Sequence, residues 1–443
     1  MRLPGPIQSA IDWLRFGLPA KFDRRILIGA GALLCVALIA LLLALDPFGG
    51  DEESATKVVT IATEDTQDAP VGTLGFPLVA TRNTTRIPGP DPIADAAAAA
   101  LASHPPSPDA PPLEAAILVP EDGWQAGIAA SVLAGPPFRA PILVSGGNEV
   151  PSSTADALGQ LNPRGGGSGD VALYTAGGAT APSGLSSEEI EGDSPAEIAN
   201  SVDRLRQELV RREPEHIVVA SADQAGYAMP AAAWAARSGD PVLFSDREVP
   251  PATISALRRH AAAAVYILGP ESVISRAAER AIARVAATVT RVGAEGVVQN
   301  ALLFARYSDG SFGWDIDETP GHGMELANAG RPLDAAAASS LASSGKWGPL
   351  LLTDTADALP PELRSFLLDI KPGYVTDPTQ AVYNHIWLMG DASAIGGQVQ
   401  AEIDELAELA QIGETGGITD SEPEIAPPGA PKPQQDRGKG NRK

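Results

Sequence analysis

The sequence predicts an α/β protein of parallel sheets flanked by helices, with one small unit written three times along the chain. Three observations carry this. Aliphatic runs of four to six residues alternate with Ala-rich or amphipathic stretches of ten or more, the pattern of strands covered on both faces by crossover helices. One segment recurs as RAPILVSGGNEVPSSTADALGQL (139–161), GDPVLFSDREVPPATISALRRH (239–260) and WGPLLLTDTADALPPELRSFLLDI (347–370), each with Pro, an aliphatic run, a polar loop, further Pro and a helical pattern. An opening segment recurs as TTRIPGPDPIADAAAAALA (84–102), EEIEGDSPAEIANSVDRL (188–205) and TRVGAEGVVQNALLFA (290–305).

Along the chain, residues 1–25 are expected to be cytoplasmic, with Ile7, Ile11, Trp13 and Leu14 on one face of a short interfacial helix. Residues 26–45, ILIGAGALLCVALIALLLAL, are uncharged and long enough to cross a bilayer as a helix. Arg2, Arg15, Lys21, Arg24 and Arg25 precede them, and Asp46, Asp51, Glu52 and Glu53 follow, which places the N-terminus inside and the rest outside the membrane. The apolar run exceeds that of a cleaved signal peptide, and Ala44-Leu45-Asp46 is a poor cleavage site. Cys35, the only cysteine, lies within the span, so the exported part has no disulfides.

Residues 46–80 read as an acidic spacer with an edge strand, KVVTIAT. The first module, 81–187, has strands ILVP, PILVS and VALYT; the second, 188–288, has HIVVAS, PVLFS and VYILG; the third, 289–410, has GMELA, PLLLT and HIWLMG. Residues 411–443, rich in Pro, Gly and Glu without aliphatic period, read as a disordered tail. A chain of 443 residues, 44% hydrophobic, has enough apolar side chains for several cores. Its net charge of −23 argues against nucleic acid as a partner, since phosphate binding needs a basic face.

The motifs resemble the cell wall-binding repeat 2 family of Gram-positive surface proteins. The resemblance covers roughly residues 80–410. It rests on Arg86-Ile87-Pro88-Gly89, on the strands Pro141-Ile142-Leu143-Val144, Pro241-Val242-Leu243-Phe244 and Pro349-Leu350-Leu351-Leu352, and on Val265-Tyr266-Ile267-Leu268-Gly269. It implies three tandem Toprim-like modules packed about a pseudo-threefold axis, binding an anionic wall polymer noncovalently. Family modules carry an acid at the start of the first helix, and here the third copy alone keeps it, as Asp334-Ala335.

Ligands of open parallel sheets sit beyond the carboxyl ends of strands. That rule nominates Trp124, Asp223, Tyr227, Arg247, Arg331 and Asp334 as polymer-binding candidates: aromatic faces for sugar rings, and a cation and carboxylates for anionic groups and hydroxyls. For Trp124 and Tyr227 the competing role is to cover joints between modules, and for Arg331 with Asp334 it is an ordinary surface salt bridge. The five His are scattered, without metal-site spacing. Asp315-Ile316-Asp317 has the spelling of a metal-binding acid pair, but it sits in a polar loop. No catalytic residue and no cofactor motif is identified. The expected function is a non-enzymatic, membrane-anchored tether or scaffold at the cell wall. The alternatives are a protein-interaction scaffold whose degenerate repeats no longer bind polymer, and a metal-dependent wall hydrolase.

Overall fold

Beyond β1 (Val79–Ala80) and β2 (Thr84–Ile87), strands and helices alternate in the order that the aliphatic runs predict. The computed structural model describes residues 79–412, apart from 106–111, 148, 166–169, 318–320 and 344–346. The predicted membrane span 26–45, the segment before it, the spacer strand KVVTIAT and the tail beyond 412 lie outside the described residues. Among the described residues, no helix is long and apolar enough to cross a membrane.

The first opening helix is α1 (Pro92–Ser103), with Pro at its first position and the Asp91 carboxylate accepting from the Ala94 amide at 2.8 Å. The first sheet follows: β3 (Ala116–Pro120), α2 (Trp124–Ala134), β4 (Ile142–Ser145), α3 (Ser152–Leu161), β5 (Leu173–Ala176) and β6 (Ser187–Ile190). The second opening helix, α4 (Pro195–Val210), is capped by Ser194 and leads to β7 (His216–Ala220), α5 (Ala225–Ser238) and β8 (Val242–Phe244). α6 (Pro251–Arg259), β9 (Ala264–Leu268), α7 (Arg276–Ile282) and β10 (Thr288–Val292) complete this part. The third runs from α8 (Val297–Arg306) through β11 (Gly323–Asn328), α9 (Leu333–Ala342), β12 (Trp347–Thr353) and α10 (Pro361–Asp369). It ends with β13 (Gly373–Tyr374), β14 (His385–Met389), α11 (Gly397–Leu406) and β15 (Ala410–Gln411).

Three parallel sheets share one strand order. The first is β4-β3-β5-β6, the second β8-β7-β9-β10, and the third β12-β11-β14-β2 with β1 added antiparallel at the edge. The fourth place of the third sheet is filled by β2, from the start of the described chain, with Thr84 opposite Ile386 and Ile87 opposite Met389. The opening strands β6 and β10 likewise join the sheet before them, so each predicted repeat begins with a strand that belongs to its predecessor. Each of the three sheets therefore takes its fourth strand from the segment that leads into another sheet. β15 pairs with β13, which brings the first residues of the predicted disordered tail into a two-stranded sheet.

The Ala stripes explain how the sheets meet. α2, α5 and α9 pack against one another in all three pairings, with Ala side chains almost wholly buried along each. Small side chains permit this approach. A methyl added at Gly127 would lie 2.9 Å from the Ala336 methyl, and one at Gly135 would strike the Ala236 carbonyl. Each opening helix lies over the next sheet and also touches the first helix of the previous one: α1 on α9, α4 on α2, α8 on α5. Val242, Leu243 and Phe244 are buried although β8 is an edge strand. It is buried because α4 and Trp124 cover it.

Candidate functional site

The first four candidates divide between joints and open surface. Trp124, at the first position of α2, stands edge-on to Phe244 of β8 at 6.3 Å and is half-buried. Its neighbour Gln125 donates to the Ala222 carbonyl at 3.1 Å, tying the first and second repeats. Tyr227 is buried at the next joint, where its hydroxyl donates to the Glu295 carbonyl. Burial, then the Glu295 charge, raises its pKa. Asp223 and Arg247 remain exposed, in the loops beyond β7 and β8.

Between those two loops lies Asp246. It takes the Ser221 hydroxyl and, at 3.3 and 3.4 Å, the amides of Ala222 and Asp223. The loop between β7 and α5 thus holds a carboxylate of its own chain through charge-assisted hydrogen bonds. Arg247 has no ion-pair partner among the described residues, so the exposed edge of this loop pair offers one cation beside two acids, Asp223 and Glu248.

Arg331 and Asp334 are brought together, but not on the surface. Asp334 is 0% exposed, and its Oδ2 accepts from Arg331 Nε at 2.8 Å. The same guanidinium reaches across to Asp95 of α1, also 0% exposed. Asp95 in turn accepts the Gly89 amide at 2.8 Å, while Asp334 Oδ1 has no hydrogen-bond partner. Two buried carboxyls therefore share one Arg. Burial and the Asp334 charge push Asp95 well above the carboxylate range, with Arg331 opposing. Burial also raises Asp334, again opposed by Arg331.

Arg86 supports this joint. It is 4% exposed and donates to the carbonyls of Gly390, Asp391 and Ile395 at 2.7–2.9 Å and to Gln400 Oε1 at 2.9 Å. Arg291, at the corresponding place of the third opening, reaches the Gly269 carbonyl at 2.8 Å and Glu279 at 2.7 Å. The Arg of the opening motif thus clasps the glycine turn after the third strand of the preceding sheet. Glu189 at the second opening is exposed and cannot donate in this way.

The three joints differ chemically at one position. Asp95, Ile198 and Asn300 each stand four residues after their helix caps, Asp91, Ser194 and Gly296. Asn300 Oδ1 accepts the Ala294 amide at 3.1 Å, as Asp95 accepts that of Gly89, and Ile198 makes the middle joint apolar. The sequence reading passed over Asp95 because it sits in an Ala run that reads as core. Its signal was the single charge between 92 and 103. Asp317 is held by Arg306 in an exposed ion pair, and Asp315 adopts a left-handed φ of 55°. Among the described residues, no group of three or more His, Cys, Asp or Glu side chains could hold a metal ion.

No protein-family model matches the chain, and no curated protein sequence is significantly similar to it. The fold does have relatives among solved structures. Cwp8 from Clostridium difficile superposes with a TM-score of 0.55 at 18% identity, covering 74% of this chain and 52% of that one. Cwp6 from Clostridium difficile gives 0.57 at 17% identity, covering 72% and 48%. This chain spans about half the length of each. At such identities the likeness is one of fold.

Proposed function

We propose that this chain is a non-enzymatic cell-wall-binding protein of the cell wall-binding repeat 2 type, built from three Toprim-like modules. It is held at the membrane by residues 26–45 and binds an anionic wall polymer as a tether or scaffold. The observation that carries the reading is the fold shared with the cell wall proteins Cwp8 and Cwp6 over nearly three quarters of this chain. The recurrent motifs support it, because the opening Arg and the glycine turn it clasps are the contacts that join one repeat to the next.

Of the six candidates, Asp223 and Arg247 are the ones left to solvent. Polymer contact is therefore assigned to the loops beyond β7 and β8, where Arg247 can meet a phosphate or carboxylate and Asp223 a sugar hydroxyl. Trp124, Tyr227, Arg331 and Asp334 serve as joints in this reading. Cosedimentation of the full-length protein with purified, protein-free walls tests it. Salt-sensitive retention that falls on Arg247→Ala is expected. Binding to membrane proteins alone, with none to walls, would favour the interaction scaffold.

A further inference from the structure

We propose that Asp95, Asp334 and Arg331 form a proton-dependent latch that holds the opening segment β2–α1 on the third sheet and loosens as the pH rises. The argument begins with charge. Two carboxyls, each 0% exposed, come from chain segments more than 200 residues apart, and one guanidinium, itself 15% exposed, serves both. One carboxyl oxygen, Asp334 Oδ1, has no partner. With one proton on the pair, a single negative charge faces Arg331 and the site is balanced. Without it, two buried like charges share one cation, an arrangement that low-dielectric surroundings penalise strongly.

A second cation lies nearby but is committed elsewhere. Arg86 on β2 feels the charge of Asp391 and then that of Asp95, but it spends its N–H groups on four acceptors around Gly390 and donates to neither carboxylate. Asp91 adds a further negative charge near Asp334. Of the other elements packed on α1, β4 has no titratable side chain, and α3 presents Asp156 to solvent. Of those on α9, α2 has no charged residue, and α5 carries Tyr227, bonded to the Glu295 carbonyl, and exposed Arg237. β12 has no titratable group, and Glu325 on β11 interacts with the opposite end of α9, at Ala342. The carboxyls are pushed up to about 6 for Asp334 and about 9 for Asp95, so the second charge arrives within an accessible range. Both folded values lie above the ordinary one of 3.8, so the contribution is complete in acid and is lost as pH rises through them.

A charge-free side chain fits at Asp334. Asp334→Asn keeps the acceptor for Arg331 Nε and puts an amide donor in the place of the unpartnered Oδ1, toward Asp95. The test is hydrogen exchange followed by mass spectrometry on the full-length protein at pH 6 and pH 9, corrected for the intrinsic exchange rate. In the parent, amides of 84–103 should exchange about tenfold or more faster at pH 9, the change expected for each pKa unit lost. Those of β7 and β9 should change less. Asp334→Asn should stay protected at both pH values. Equal pH dependence in parent and variant, or none in the parent, would overturn the latch. Loss of protection in the variant at both values would also overturn it, by showing that the joint needs Asp334 ionised.

Discussion

Glu325 offers a measurable consequence of burial. It lies on β11 opposite Trp387 of β14, is 0% exposed, and neither carboxyl oxygen has a hydrogen-bond partner. Burial raises its pKa well above the ordinary 4.5, so the folded protein holds this proton at pH values where the unfolded chain has released it. Each unit of that rise costs the fold ~1.4 kcal/mol once the pH has passed through it. Its folded pKa is raised, so its contribution is intact below about pH 4.5 and is lost as pH rises. Glu325→Gln keeps the shape and removes the titration. Urea denaturation followed by Trp fluorescence should show parent and variant nearly equal at pH 4, with the variant more stable at pH 7 by ~1.4 kcal/mol for each unit by which the pH has risen between the unfolded and folded pKa. Glu325→Leu should gain a further ~1–3 kcal/mol by removing the unpartnered polar group, as Ile117 and Val218 do at the matching places of the other sheets. A difference that stays constant between pH 4 and pH 7 would refute the reasoning, because it would mean an ionised and compensated carboxylate.

Four further outcomes are expected. Phe244→Ala should cost about 3–5 kcal/mol in the same assay, because it empties a fully buried site against Trp124. Two helical glycines should respond oppositely: Gly127→Ala should lose about 1–3 kcal/mol by crowding Ala336, and Gly159→Ala, with open space around it, should gain roughly 0.5–1 kcal/mol. Arg331→Ala should destabilise by about 3–5 kcal/mol, since it leaves buried Asp95 and Asp334 without their cation. Arg247→Ala should leave the melting temperature within a degree or so of the parent, as expected for an exposed side chain, while lowering salt-sensitive wall retention.

Periodicity along the chain was sufficient for the strands and helices, because a run such as HIVVA or AVYIL is a strand by its own apolar content wherever two covered faces are available. The order of Pro, aliphatic run and loop recurs three times in the sequence, and three parallel sheets share one strand order. What local pattern does not contain is the choice of sheet edge. β2 and β14 are separated by almost 300 residues, and they pair because the third sheet has an unfilled fourth place whose backbone groups need partners. The same holds for the candidate residues. Arg331 and Asp334 look like a surface pair at helical spacing, and only the arrival of α1, with Asp95, buries them and changes their chemistry. Hydrophobic content is a property of each segment. Burial of a charge depends on which distant segment lands on it, so that part of the protein was decided by tertiary packing.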